Sequence, residues 1–290
     1  MSPRYDLHSH SLRSDGTLTP AELVTRAHAQ GVGVLALTDH DVTDGIAEAA
    51  AAASSLGLEL IPGVEISVTW QQQTIHIVGL GIDPADQTLQ AGLSGLREFR
   101  NKRAREIDRR LQRKRITGAY AGAAGLAQGA ILSRTHFARF LVSQGYAGNM
   151  RQAFKRFLTR GKPGYVPGCW ATLEQAVGWI HGAGGLAVIA HPARYRLSAG
   201  KLRKLLGAFK DCGGAAIEVI SGSQRTEENN HLARLASEFG LLASVGSDFH
   251  GPDGYDAAGT SPMRQKGKPW TELGRLPPLP AVCTPVWQAW

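Results

Sequence analysis

The sequence contains little cysteine and no long apolar run. Three cysteines, Cys169, Cys212 and Cys283, lie far apart among 290 residues, and none forms a CxxC pair. Their odd number and their spacing indicate reduced thiols, and not a disulfide framework or a sulfur-ligated zinc site. No segment approaches the roughly 20 apolar residues of a membrane-spanning helix, and the first strand-like segment starts too early to follow a signal peptide. We therefore expect a cytoplasmic protein that does not enter a membrane.

Charged residues are also scarce, at 19% of the sequence against 43% apolar residues. This balance predicts a globular chain with a sizeable core. The net charge is nevertheless +8, which favours an anionic partner. The segment 97–115 carries ten Lys or Arg against three acidic residues. We expect most of these charges on a solvated helix face and one or two of them in a cleft.

Short apolar runs alternate with helical patterns in two parts of the chain, which predicts an α/β fold with a parallel sheet. The predicted strands are 5–7, 32–37, 58–62, 74–80, 185–190, 215–220 and 241–245, and the predicted helices are 19–30, 43–56, 173–183, 201–211 and 227–239. Between the two parts the strand signal fades and the sequence becomes basic and helical. We predict a barrel of residues 1–96 and 167–290 with an inserted helical subdomain of residues 97–166.

Histidines and carboxylates recur at or near the ends of the predicted strands. The set comprises His8, His10, Asp15, His40, Glu65, His76, His191, Asp248 and His250. Because the carboxyl ends of barrel strands converge on one rim, we expect these residues at one site. Imidazole and carboxylate ligands suit Mn²⁺, Zn²⁺ or Fe²⁺, and nine of them indicate two or three ions. Paired cations activate water and clamp a phosphate ester, so phosphate ester hydrolysis is the expected reaction.

These residues stand in an ordered series of short segments. The segments are Asp6-Leu7-His8-Ser9-His10, Ser14-Asp15-Gly16-Thr17, Leu37-Thr38-Asp39-His40-Asp41, Pro62-Gly63-Val64-Glu65, His76, Ala190-His191-Pro192 and Gly246-Ser247-Asp248-Phe249-His250. The series resembles the PHP (polymerase and histidinol phosphatase) metallophosphoesterase family. The resemblance implies a distorted (β/α)7 TIM-like barrel that holds two or three divalent ions, most often Mn²⁺ and otherwise Fe²⁺ or Zn²⁺.

The same resemblance assigns the ligands to separate ions. It implies that His8, His10, Glu65 and Asp248 hold one ion, that Glu65, His76 and His191 hold a second, and that Asp15, His40 and His250 hold a third. Behind these ligands, Asp39 is expected to orient an imidazole. Glu218, at the end of a predicted buried strand, is a further candidate for such a supporting carboxylate.

Two further segments narrow the resemblance to one branch of the family. Leu132-Ser133-Arg134-Thr135-His136-Phe137-Ala138 and Gly161-Lys162-Pro163-Gly164-Tyr165-Val166-Pro167 resemble segments of 3',5'-nucleoside bisphosphate phosphatases and related 5'-to-3' oligoribonucleases. The implied reaction removes the 3'-phosphate of a 3',5'-bisphosphate such as 3',5'-adenosine bisphosphate and leaves the nucleoside 5'-monophosphate. The alternative is stepwise cleavage of short 5'-phosphorylated RNA or DNA.

A second substrate phosphate needs cationic side chains beside the metal ions. We expect Arg134 and His136 to provide this contact first, and Lys162, Arg194 and His40 to contribute to substrate binding behind them. The candidate catalytic residues are His191, His250 and Asp248. Either histidine, or a water on a metal ion, could protonate the leaving oxygen.

Two other functions stay open. The family resemblance also allows a histidinol-phosphate phosphatase. A non-catalytic nucleic-acid-binding module is weakly supported, because Phe99 is the one aromatic residue within the basic segment 97–115 and single-strand binders stack bases on aromatic rings. The expected partner is therefore a small nucleotide or a short oligonucleotide, and no obligate protein partner is expected.

Overall fold

A computed structural model describes residues 3–127, 131–222, 224–252 and 272–290 of the chain. The α-helices of this part are α1 (Pro20–Ala29), α2 (Ile46–Leu56), α3 (Gln87–Gln112), α4 (Ala119–Leu126), α5 (Arg134–Ser143), α6 (Met150–Ala153), α7 (Leu173–Gly182), α8 (Ala199–Asp211) and α9 (Thr226–Glu238). Its strands are β1 (Tyr5–Asp6), β2 (Val34–Leu37), β3 (Glu59–Trp70), β4 (Gln73–Leu80), β5 (Leu186–Ile189), β6 (Ala216–Ser221) and β7 (Leu242–Gly246). Each helix and strand predicted from periodicity is present, and β3 is longer than predicted.

Local sequence signals explain the first helix. Thr19 caps α1 by accepting a hydrogen bond from the Glu22 backbone N–H, and the Glu22 carboxylate in turn accepts one from the Thr19 backbone N–H. Pro20 occupies the first helical position, where its missing N–H is not needed. The helix then buries Leu23 and Val24 against the sheet. A reciprocal cap and an apolar stripe together fix where the helix begins and which side faces the core.

The seven strands form one sheet in the order β1-β2-β3-β4-β5-β6-β7. The expectation of a parallel sheet is correct for most neighbours but wrong for β4, which is antiparallel to both β3 and β5. The reason is the short connection at Gln71 and Gln72, both with positive φ, which turns the chain straight back into a hairpin. A parallel neighbour would require a crossover of a dozen or more residues.

Backbone hydrogen bonds between the two ends of the sheet nearly close it into a barrel. The Leu7 N–H donates to the Val245 carbonyl at 2.9 Å, and the Asp248 N–H donates to the His8 carbonyl at 2.8 Å. A Cβ at Gly246 would lie 2.3 Å from the His8 Cβ, so only glycine permits this approach. The α/β barrel predicted from the sequence is therefore present in its nearly closed, seven-stranded form.

The apolar residues fall into separate clusters. The largest surrounds the sheet and the helices packed on it, and a second occupies residues 104–158, with Phe137 and Leu141 fully buried at its centre. The predicted boundary between residues 96 and 97 falls inside the 26-residue helix α3. The division into a barrel and an inserted subdomain stays a prediction, and residues 253–271 of the predicted barrel lie outside the described part.

Within the described residues, none of the helices has both the length and the apolar content that crossing a membrane requires.

Candidate metal centre

The nine predicted ligands converge at one end of the barrel. His8 and His10 follow β1, His40 follows β2, His191 follows β5, and Asp248 and His250 follow β7. Glu65 and His76 lie within the paired strands β3 and β4, whose extension beyond the neighbouring strands carries them to the same end. Eight of the nine are buried, and His76 is partly exposed with 22% of its side chain accessible.

Glu65 lies at the centre of the cluster. Its Oε2 is 2.7 Å from His40 Nδ1, 3.3 Å from His10 Nε2 and 3.4 Å from His8 Nε2. Its Oε1 is 2.8 Å from His76 Nδ1 and 3.0 Å from His191 Nε2. One carboxylate thus faces five imidazoles, which is the arrangement of a bridging ligand.

The ligand atoms form three overlapping groups, each within 4.8 Å. These groups are His8 with His10, Glu65 and Asp248; His40 with Glu65 and His76; and His10 with Asp15, His40 and His250. The first has the composition that the resemblance implies. The second contains His40 in place of His191, which contacts Glu65 Oε1 without belonging to that group, and the third gains His10.

The donor set fits divalent cations. Four buried atoms in these groups, Asp15 Oδ1, His40 Nδ1, Glu65 Oε2 and His250 Nε2, have no hydrogen-bond partner among the described residues. Buried polar atoms are rarely left in this state, because desolvation without a partner costs about 1–3 kcal/mol each. Atoms that face one another without hydrogen-bond geometry, drawn from imidazole and carboxylate groups, are what a cation between them requires. The cluster therefore binds divalent metal.

Electrostatics within the cluster keep the carboxylates ionised. Burial would raise the pKa of Glu65, but His40, His76 and His8 hold it well below its usual range. Burial likewise opposes ionisation of Asp15, whose pKa is held well below its usual range by His40 and His250. These carboxylates are thus ready to accept a cation without losing a proton.

The histidines of the cluster divide into two kinds. Burial lowers the pKa of His10 to about 3, assisted by the neighbouring His250 and His40, so this ring is neutral. Burial also disfavours the charged form of His250, but Asp15 and Asp248 raise its pKa to about 9. A metal ion that binds there must displace a proton from His250.

Two of the predicted ligands lie on strained backbone. His191 has φ of 30° and Asp248 has φ of 52°, both in the left-handed region that non-glycine residues avoid. Such conformations cost about 1–3 kcal/mol each and persist where the surroundings enforce them. Here the turns after β5 and β7 point both side chains into the cluster.

Glu218 supports the ligands from behind. Its Oε1 makes a short contact with His8 Nδ1, and its Oε2 accepts a hydrogen bond from the His191 backbone N–H at 2.6 Å. A carboxylate on the far nitrogen of a ligating imidazole fixes the tautomer and the ring orientation. Glu218 therefore fixes the relative positions of the predicted ligands His8 and His191, which follow different strands.

Asp39 supports the predicted ligands through serine side chains. It accepts hydrogen bonds from the Ser11 backbone N–H at 2.8 Å and from the Ser14 hydroxyl at 2.6 Å. It thereby fixes the loop that carries His10 and Asp15. The Ser14 hydroxyl also lies 3.5 Å from His10 Nδ1, so Asp39 is linked to that imidazole through a serine, a residue that gives no periodic signal in the sequence.

A buried arginine was missed by the sequence analysis. Arg100 of α3 donates to Asp41 Oδ2 at 2.6 Å and to the Ser67 hydroxyl at 2.9 Å, and its guanidinium lies 5.0 Å from the Trp170 ring. Asp41 directly follows the ligand His40. The segment 97–115 thus contains a charge, that of Arg100, which anchors the loop carrying the predicted ligand His40. This arginine forms an ion pair inside the protein and does not line an open cleft.

Tyr195 was also missed. Its hydroxyl donates to the Ala190 carbonyl at 2.8 Å and accepts from the His76 backbone N–H at 2.8 Å, and its ring packs edge-on against His191. It joins β4 to the turn that carries His191. The motif ending at Pro192 gave no indication of it, because the tyrosine lies in a short 3-10 turn without periodicity.

The predicted substrate residues lie in different places. His136 is buried and its Nδ1 accepts from the Ser133 backbone N–H at 3.1 Å, while the Ser133 hydroxyl donates to Asp15 Oδ2 at 3.0 Å. Arg134 begins α5, and its guanidinium lies 5.9 Å from the Phe154 ring. The start of α5 is therefore docked on the loop that carries a metal ligand.

Arg194 and Lys162 lie further apart. The Arg194 guanidinium makes a short contact with Asp248 Oδ2, the oxygen opposite the one that faces His10. It therefore positions a ligand carboxylate as well as adding positive charge. Lys162 is exposed and lines a surface pocket with Gln152, Lys155, Arg156 and Phe157. The structure thus brings Arg134, His136, His40 and Arg194 around the cluster and places Lys162 in that separate pocket.

Comparison with known proteins gives a consistent result. A family model described as the PHP domain matches residues 6–162. The 3',5'-nucleoside bisphosphate phosphatase of Chromobacterium violaceum is 48% identical over 98% of this chain and 95% of its own length. The 5'-3' exoribonuclease Rnm of Escherichia coli is 49% identical over 99% of this chain and 93% of its own length. A solved structure from Chromobacterium violaceum, described as an amidohydrolase with bound sulfate and no metal, superposes with a TM-score of 0.90 at 47% identity, covering 99% of this chain and 95% of that one.

Proposed function

The chain belongs to the PHP domain family, and from that premise we propose that it hydrolyses the 3'-phosphate of nucleoside 3',5'-bisphosphates. It is a hydrolase that acts on phosphoesters. The observation that carries the proposal is the central position of Glu65. Its two carboxylate oxygens lie within 3.3 Å of imidazole nitrogens of His10, His40, His76 and His191. Such a carboxylate can bridge adjacent cations, and adjacent cations suit displacement at phosphorus.

We assign two or three divalent ions to the cluster, with Mn²⁺ as the first choice and Fe²⁺ and Zn²⁺ as alternatives. When bound, these ions supply Lewis acidity to the phosphate oxygens and acidify a coordinated water. The ligands are those of the three groups together with His191, which adds an imidazole to Glu65 at 3.0 Å. Glu218 and Asp39 keep the ligand segments in place.

The side chains around the cluster have separate roles in binding the substrate, orienting a ligand and donating a proton. Arg134, at the positive end of α5, and the neighbouring His136 hold the phosphate that is not cleaved. Asp248 is oriented by Arg194, and the His250 Nδ1 lies 2.8 Å from the Asp248 carbonyl. His191, His250 and a water on a metal ion are the candidates for giving a proton to the leaving ribose oxygen. His40 contributes both to the ligand groups and to the wall of the substrate site.

A second activity has specific support. The Escherichia coli relative that is 49% identical is named a 5'-3' exoribonuclease, nearly the same identity as the bisphosphate phosphatase. A site that hydrolyses the 3'-phosphate beside a 5'-phosphate could also cleave a 3'-linked nucleotide. We therefore propose short 5'-phosphorylated oligonucleotides as the alternative substrate of the same metal cluster.

Replacement of Glu65 tests the proposal. Glu65→Gln should lower phosphate release from 3',5'-adenosine bisphosphate in Mn²⁺ by more than about 100-fold, because it removes a charge shared by the ligand groups. Glu59→Gln is the matched control, since Glu59 is exposed at the start of the same strand. Metal content measured on the same samples should fall in the first variant alone.

The products distinguish the two activities. Free phosphate from the bisphosphate supports the phosphatase, whereas mononucleotides released from an oligonucleotide support the nuclease. Histidinol phosphate is included as a third substrate. The absence of phosphate release from every bisphosphate with Mn²⁺ bound would refute the first proposal.

A further inference from the structure

The positive charge of the chain is concentrated in one stretch. Residues 109–173 contain twelve Lys or Arg and no Asp or Glu. The whole chain has a net charge of +8, so the remaining residues sum to −4. The stretch runs from the end of α3 through α4, α5 and α6 to the start of α7. A strongly positive surface of this kind raises the local concentration of polyanions.

A pocket in this stretch combines cations with an aromatic ring. It has a volume of about 550 Å³ and is lined by Gln152, Lys155, Arg156, Phe157 and Lys162. Lys155 and Lys162 are exposed, and no ion pair holds either ammonium group within the described ranges. Arg156 donates to the Tyr146 carbonyl at 2.8 Å and lies 5.1 Å from the Phe157 ring, so its guanidinium is held beside that ring. Among the described residues, no carboxylate lines the pocket.

The backbone beneath the pocket is unusual. Residues Phe154–Leu158 form a π-helical turn that continues α6, and the Thr159 N–H donates to the Phe154 carbonyl at 3.0 Å. Such turns are rare and occur frequently at functional sites. This one leaves Lys155 and Arg156 exposed and Phe157 half-buried. It therefore presents two cations and an aromatic edge on one surface.

Contacts connect this turn to the metal cluster. Phe154 packs under the guanidinium of Arg134 at 5.9 Å. The residue before Arg134, Ser133, is hydrogen-bonded to the metal-ligand candidate Asp15 at 3.0 Å. Phe154 and Arg134 thus link the turn beneath the pocket to the segment that contacts Asp15.

We propose that the pocket binds two backbone phosphates of a single-stranded oligonucleotide, one at Lys155 and one at Arg156, while the reacting end of the strand lies at the metal cluster. The inference rests on the proposed function and adds a separate binding subsite for the oligonucleotide substrate proposed there. A nucleoside bisphosphate uses its two phosphates at the cluster and at Arg134, so it has none for this pocket. Cations beside an aromatic ring suit single strands, because exposed bases stack while the cations follow the backbone.

Charge removal at the pocket tests the inference. The variant Lys155→Gln/Arg156→Gln removes two cations, and Lys201→Gln/Lys204→Gln removes two exposed cations of α8 as the matched control. Binding is measured by fluorescence anisotropy with a 3'-labelled, 5'-phosphorylated 12-nucleotide RNA in chelator, where cleavage does not occur. Hydrolysis of 3',5'-adenosine bisphosphate by the Mn²⁺-loaded proteins is measured in parallel.

The expected size follows from counterion release. Each phosphate contact to a single strand contributes about 0.7 to the slope of log affinity against log salt, so losing two contacts lowers the slope by about 1.4. Extrapolated from 1 M salt, this loss weakens binding by about 25-fold at 0.1 M salt. The α8 control should stay within about threefold of the wild type, and all three proteins should hydrolyse the bisphosphate equally.

Each outcome has a defined meaning. Equal RNA affinity in the wild type and the pocket variant would overturn the inference, as would a wild type that does not bind the RNA. Equal competition by a duplex or by polyglutamate would also overturn it, since the pocket would then read charge alone. A pocket-dependent RNA affinity without any bisphosphate or oligonucleotide hydrolysis would refute the proposed function and leave the binding pocket standing.

Discussion

Removal of Arg100 should destabilise the fold strongly, because it leaves a buried carboxylate without its partner. Arg100 is 6% exposed and Asp41 is fully buried, and the two are joined at 2.6 Å. Breaking a buried pair from one side costs about 3–5 kcal/mol. Arg100→Met keeps most of the side-chain volume, so the loss should come from the ion pair and the bond to Ser67. For a chain of this length, that loss lowers the melting temperature by roughly 6–10 °C.

The assay is urea unfolding followed by circular dichroism, with thermal scanning as a second readout. Lys102→Met is the matched control on the same helix, because Lys102 is exposed. The double variant Arg100→Met/Asp41→Asn should recover part of the stability, since it leaves neither charge buried alone. An Arg100→Met protein within about 1 kcal/mol of the wild type would show that the pair is solvated, and the reasoning would fail.

Two further predictions concern side chains beside the metal ligands. Glu218→Gln should weaken Mn²⁺ binding by about 10–100-fold in a calorimetric titration, because an amide cannot accept hydrogen bonds from both His8 and His191. The control is Glu174→Gln at an exposed position. An unchanged Mn²⁺ affinity would contradict the role of Glu218. His136 is buried and its pKa is lowered by that burial from 6.5 to about 4, so the stability it contributes is present above pH 6.5 and is lost as the pH falls toward 4. His136→Gln keeps the acceptor for the Ser133 N–H but does not titrate. Between pH 6.5 and 4, the free energy of unfolding measured by urea titration should therefore fall by about 3 kcal/mol more in the wild type than in the variant. Parallel curves of unfolding free energy against pH would disprove this.

The clustering of the predicted ligands could be foreseen because these residues stand next to strong strand signals. His40 follows an entirely buried run, and in such a barrel the position after a strand determines the end of the molecule at which a side chain lies. The position of each segment after a predicted strand therefore indicated that its side chains lie at the same end of the barrel. The reversal of β4 was not predictable in the same way, because two glutamines with positive φ give no turn signal comparable to glycine or asparagine.

The supporting contacts were hidden for a different reason. Arg100 belongs to a helix that alternates charge along its length, and nothing in that pattern distinguishes a buried arginine from its solvated neighbours. Its partner Asp41 is 59 residues away in the chain. Long-range pairs of this kind depend on how a helix is rotated against the barrel, and that rotation is set by packing.

The hydrogen bonds that close the barrel also set when the metal centre can form. His10 and Asp248, which belong to one ligand group, are separated by 238 positions in the chain. Contacts between distant positions form late, because the entropy of closing a long loop must be overcome first. During synthesis, a chain that has not yet been extended past Asp248 lacks part of this group and cannot complete it. Metal loading would then follow completion of the barrel, so that a truncated chain would lack both the closed sheet and the full set of ligands.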